Sequence, residues 1–118
     1  MILERNVFRL RFGAAREAVA LWREGLGILR NSGALVDARL LTDLTGPYYT
    51  LVLEVTHDNL AAMEAAVRRE GESAEWKAWY QRFVPLVESG YRELFTVVPS
   101  DAPSLPNTAA GAQAVGAR

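Results

Sequence analysis

Two stretches of the chain alternate with a period of two, and that limits what they can become. In VFRLRF, residues 7–12, Phe8, Leu10 and Phe12 fall on one side and Arg9 and Arg11 on the other. In YYTLVLEVT, residues 48–56, Tyr49, Leu51, Leu53 and Val55 alternate with Tyr48, Thr50, Val52 and Glu54. Segments of this kind are strands with two unlike faces. The greasier face asks for a cover of helices. The other face carries arginine, tyrosine and glutamate, and what it meets is the first question the chain poses.

The remaining segments supply the cover. The first strand is expected over residues 2–12 and stops at Gly13. Residues 14–33 repeat Leu21, Trp22, Leu26 and Leu29 at helical spacing. Gly25 and Gly27 inside that helix cost up to about 1 kcal/mol each relative to alanine, and they let the helix bend or approach the sheet closely. A second strand is expected over 34–43. Thr45-Gly46-Pro47 then turns the chain into the strand of residues 48–56, which makes an antiparallel hairpin. Asp58 or Asn59 caps a helix whose face is Leu60, Met63 and Val67, with Gly71 interrupting it. Ser73 caps a further helix, AEWKAWYQRFV, and Pro85 imposes a break near residues 81–84. A last strand is expected over 91–98. The order β-α-β-β-α-β is the ferredoxin-like pattern, an α+β fold with a four-stranded antiparallel sheet and helices on one face. It occupies residues 1–98. Residues 99–118 are rich in Pro, Ala, Gly and Ser without apolar periodicity, and read as a flexible low-complexity tail.

Composition removes several functions. A chain of 118 residues is one small domain. Its net charge of -1 and the lack of any basic run longer than Arg68-Arg69 argue against a nucleic-acid partner. The strand YYTLVLEV also lacks the glycine–aromatic pattern of an RNA-binding sheet. There are no cysteines, so disulfides, thiolate metal sites and thiol catalysis are absent, which fits the cytoplasm. The opening MILERNVFRL is charged at Glu4 and Arg5 and is not read as a signal peptide. No run approaches the roughly 20 apolar residues that span a bilayer, so no membrane partner is expected.

The mixed face is the best candidate for an interface. Arg9, Arg11, Arg39, Tyr48 and Glu54 lie on it, with Asp37 and Asp43 beside them, and tyrosine and arginine are enriched where proteins meet. Arg9, Arg11 and Arg39 are expected to pair with Asp37 and Glu54 across strands rather than leave the acids to a cation, so no metal is expected. The alternative is a wet sheet face with arginine stems lying over it.

Three blocks give the chain a resemblance to the NIPSNAP family, within the dimeric α+β barrel group. They are VFRLRFG, Gly46-Pro47 followed by YYTLVLEV, and EWKAWYQRFVPLVESGYRELF. The resemblance implies a homodimer closed sheet against sheet, with Arg9 and Arg11 turned inward, and a role in small-molecule binding or as an accessory module. It supplies no catalytic residue set. Related barrels include cofactor-independent monooxygenases, and the alternative reading is one acting on an aromatic or quinol substrate. Heme-degrading relatives use an asparagine on the first strand, a tryptophan on the second helix and a histidine further along it. Here Asn6 and Trp76 stand in comparable places, but the histidine is missing, so heme is not expected and no cofactor is assigned.

The ligand-binding candidates are therefore Asn6, Tyr49, Trp76, Trp79 and Tyr80. Aromatic lining is typical of small-molecule sites, although at this spacing Trp76, Trp79, Tyr80 and Phe83 are first a helix face packed on the sheet. His57, the one histidine in the chain, reads as a surface residue ahead of a helix cap.

Overall fold

A computed structural model of the chain describes residues 1–33 and 37–99. The elements run β1 (Ile2–Leu10), α1 (Ala15–Asn31), β2 (Asp37–Thr42), β3 (Thr50–His57), α2 (Leu60–Glu72), α3 (Ala74–Phe83), a 3-10 turn (Val84–Leu86) and β4 (Val87–Thr96). The sheet order is β2-β3-β1-β4 with every neighbour antiparallel. This is the ferredoxin-like arrangement expected from the pattern. Residues 34–36 of the anticipated second strand, and the anticipated tail from residue 100 on, lie outside the described residues.

Parity sorts the strands as expected. Phe8 stands opposite Leu51 and Asn6 opposite Leu53, so the even positions of β1 share the helix-covered face with Leu51, Leu53 and Val55. Against them α1 and α3 bring Ala18, Leu21, Trp22, Leu26, Trp79 and Phe83. The rings interlock: Trp22 lies 4.5 Å from Trp79 and 5.3 Å from Phe83, and Phe83 meets Phe8 edge-on at 5.0 Å. Trp79 donates its indole N–H to the carbonyl of Leu21 at 2.6 Å, which satisfies the polar atom inside the core. The indole nitrogen of Trp22 is buried and has no partner among the described residues.

Gly25 is where α1 touches α3. A Cβ there would sit 2.6 Å from Cε2 and Cζ2 of Trp79, whereas one at Gly27 would meet nothing within 4 Å. The close approach is therefore to the second helical layer and not to the sheet, and only one of the two glycines serves it.

Several boundaries differ from the sequence reading: β3 begins at Thr50 and not at 48, and β4 runs Val87–Thr96 in place of 91–98. β1 ends at Leu10, where its register against β4 shifts and Gly13 follows at φ 85°. Phe12 therefore leaves the sheet and is exposed, its ring 4.6 Å from that of Tyr49. Gly71 does not interrupt α2, which runs on to Glu72; one glycine in a last turn is too small a cost to stop it. The break comes at Ser73, whose extended backbone ends α2 while its hydroxyl accepts from Trp76 N–H at 3.1 Å. Asn59 caps α2 in the same way, accepting from Ala62 N–H at 2.8 Å, and each cap is worth about 1 kcal/mol. Pro85 sits in the 3-10 turn directly after α3, as the expected break requires.

The uncovered face is built in rows. Leu41, Val52, Val7 and Tyr91 stand side by side across all four strands. The adjacent row is Arg39, Glu54, Arg5 and Glu93, alternating in sign. Glu54 is bound by both arginines, with Arg5 Nη1 donating at 3.2 Å, and Arg5 also faces Glu93 at 3.7 Å. Of the pairings expected from sequence, Arg39 with Glu54 forms; the second cation is Arg5, since it and not Arg9 stands opposite Glu54. Arg9 stands opposite Thr50 and is exposed, as is Tyr48. Arg11 lies beyond the strand and donates Nε to the carbonyl of Pro85 at 2.7 Å.

Candidate functional site

On the covered side, the end of the sheet away from Gly13 is not filled by apolar side chains. Continuing the even positions of β1 backward from Phe8 brings Asn6 and Glu4 onto the inner face. Continuing β3 forward from Val55 brings His57 there, because Ile2 pairs with His57. β4 contributes Arg92, which stands directly opposite Asn6. A cavity of about 430 Å³ opens between these residues and the helices. Trp22 of α1, Glu70 of α2, and Trp76 and Tyr80 of α3 close its other side.

The polar residues form a connected network. Asn6 Nδ2 donates to Glu4 Oε2 at 3.0 Å, and Asn6 Oδ1 accepts from Arg92 Nε at 3.0 Å. Glu4 Oε1 lies 2.9 Å from His57 Nε2, and Arg92 Nε is 3.5 Å from the other oxygen of Glu4. Glu4 and Asn6 are each only 8% exposed, so both depend on these partners for the hydration they have lost. His57 is not the surface residue that the sequence suggested: its side chain is 8% exposed. The strand simply runs one residue further than its apolar stretch, and that residue turns inward.

Glu70 differs from its neighbours. Its carboxyl accepts no hydrogen bond from any described residue. Burial in the cavity wall pushes its pKa up, the Glu4 charge pushes the same way, and Arg92 and His57 pull against them. A carboxyl with a higher pKa folded than unfolded binds more protons in the folded state. Stability therefore falls as pH climbs from the ordinary carboxylate range through the raised value, and stays lower above it. Glu70→Gln is expected to raise the urea midpoint at about pH 7 and to leave it unchanged at about pH 3.5, where the carboxyl is protonated in both states. The gain is small, because the group keeps part of its hydration.

The five ligand-binding candidates separate. Asn6, Trp76 and Tyr80 line this one cavity. Trp79 is sealed in the core at 1% exposure, stacked on Trp76 at 4.6 Å. Tyr49 lies toward the opposite end of the sheet, in a groove with Tyr48 and Arg16, and holds a left-handed backbone at φ 60°. Glu4, His57, Glu70 and Arg92 were not singled out as ligand contacts from sequence. The first two were within reach of the alternation, had it been carried two positions further along each strand. Among the described residues no group of three or more His, Cys, Asp or Glu is arranged to hold a metal ion, and no helix is long and apolar enough to cross a membrane.

The arrangement suits a flat ligand. Rings of Phe8, Trp22, Trp76 and Tyr80 offer faces and edges for a conjugated system, and the polar end offers a guanidinium, an imidazole and two carboxyls to fix its orientation.

No family model and no curated protein matches the sequence. Solved structures share the fold. A NIPSNAP domain protein from Burkholderia xenovorans superposes with a TM-score of 0.74 at 24% identity, over 88% of this chain and 100% of its own. A NIPSNAP family protein from Agrobacterium tumefaciens gives 0.72 at 24% identity, over 85% and 86%. A variant of SnoaB, a cofactor-independent oxygenase from Streptomyces nogalater, gives 0.67 at 15% identity, over 86% and 97%. The NIPSNAP resemblance in the sequence is thus matched in the fold, and the oxygenase is more distant.

Proposed function

We propose that this chain is a NIPSNAP-like, small-molecule-binding protein that works as a homodimer in the cytoplasm, with its ligand held between the sheet and the helices. The observation that carries the binding reading is the polar network of Glu4, Asn6, His57 and Arg92 at the end of an aromatic-walled cavity. A network of buried polar groups is costly to maintain where apolar residues would fill the same space, and here it surrounds open volume. Pairing through the uncovered sheet face is supported by its apolar row, in which Tyr91 is 61% exposed and Leu41 is 38% exposed. The absence of cysteines suits a reducing compartment. An oxygenase using Asn6 is less well supported, since that amide is engaged at both ends.

Native mass spectrometry of the untagged protein tests both halves. The expected spectrum shows twice the 13.0 kDa chain mass, with bound-ligand mass on the dimer. Tyr91→Glu is expected to give a folded monomer, because the ring contributes little to the fold and much to the exposed row. A wild-type monomer would remove the homodimer from the proposal.

A further inference from the structure

We infer that Glu70 is a proton-transfer group of this cavity, taking a proton from a planar conjugated carbonyl ligand whose developing negative charge meets Arg92; this rests on the cavity being a ligand site, as proposed above. Around the cavity the other acidic and basic side chains are already committed, and the phenols of Tyr80 and Tyr91 stay neutral at ordinary pH. Glu4 is held by Asn6 and His57, His57 by Glu4, and Arg92 reaches Asn6 through Nε. The phenol of Tyr80 comes from α3. Next to Glu70 on α2, Arg69 is turned elsewhere, donating to the carbonyl of Gly33 at 3.1 Å. Glu70 is left as a carboxyl in the wall with no hydrogen bond from any described residue, facing aromatic rings and, near enough to act on its charge, Glu4, Arg92 and His57. A carboxylate stripped of donors is a stronger base than one in water, and the raised pKa of Glu70 agrees with that placement.

The chemistry balances without a cofactor. A C–H bond beside the ligand carbonyl breaks, the proton passes to the Glu70 carboxylate, and the electron pair moves onto the carbonyl oxygen as an enolate. The two NH2 groups of Arg92, held in place through Nε, are the donors available to that oxygen. Return of the proton to the same carbon exchanges it, and return to a conjugated carbon completes a tautomerisation. Nothing is oxidised or reduced.

The probe is 2-tetralone, a benzo-fused ketone whose C1 hydrogens, between ring and carbonyl, are acidic and whose C1 enolate is conjugated with the ring. Its binding is read by quenching of the tryptophan fluorescence, and its C1 exchange in D2O by proton NMR. Saturable exchange is expected, rising with pD to a plateau as the carboxyl ionises. Glu70→Gln is expected to lower it about a hundredfold while leaving the quenching in place. Glu70→Asp retains part of it, and Glu72→Gln, at an exposed position on the same helix, matches the wild type. Quenching without exchange above the buffer rate overturns the role of Glu70 and leaves the ligand site standing. Exchange lost in His57→Gln but kept in Glu70→Gln overturns it too, in favour of the imidazole. Absence of both quenching and exchange overturns the ligand site itself, and this inference with it.

Discussion

Gly25→Ala is expected to destabilise the protein by about 1–3 kcal/mol, although alanine is the better helix former. The added methyl would fall 2.6 Å from two carbons of the Trp79 ring. That ring cannot step aside: it is 1% exposed, stacked on Phe83 at 5.5 Å, and tied by its N–H to Leu21. Gly27→Ala, two residues away with nothing within 4 Å, is expected to do the opposite and stabilise by up to about 1 kcal/mol. Urea denaturation of the two variants checks this, and equal signs would contradict the contact.

Trp79→Ala is expected to cost more, about 3–5 kcal/mol, which is comparable with the whole stability of a small domain. The substitution removes a fully buried ring, takes the indole donor from the Leu21 carbonyl and strips Trp22 and Trp76 of a neighbour. Loss of near-ultraviolet circular dichroism at ambient temperature is the expected observation. Trp79→Phe is milder and serves a second purpose. It deletes the indole atoms that crowd position 25, so Gly25→Ala is expected to be cheaper in that background than in the wild type. Additive costs would place the clash elsewhere.

How far the fold and site could be read in advance depended on the range of the interaction involved. Alternation is local, so the two faces of β1 and β3 were legible from Phe8, Leu10, Leu51 and Leu53 alone. Caps are local too, and Asn59 and Ser73 act where the sequence places them. The reading faltered at strand ends, because pairing partners rather than residue types decide where a strand stops. Phe12 fell outside β1, and His57 fell inside β3. Arg92 reaches Asn6 only through the β1–β4 register, and Glu70 reaches the cavity only through the docking of α2; neither is a property of neighbouring letters. Gly25 was visible as an oddity in a helix, but its reason is a ring 54 positions later, Trp79.

The row Arg39, Glu54, Arg5 and Glu93 has a consequence for how anything finds that face. Its four charges cancel, so beyond about a Debye length of 10 Å it exerts almost no pull. A partner of the kind proposed for this face would not be steered in, and encounter would proceed at the unassisted rate of roughly 10⁵–10⁶ M⁻¹s⁻¹, with little response to salt. At contact the pattern becomes fully resolved. A sheet laid down one row out of step sets hydrocarbon against charge, and only the matched placement avoids that loss. Such a face would be silent at a distance and selective on touch.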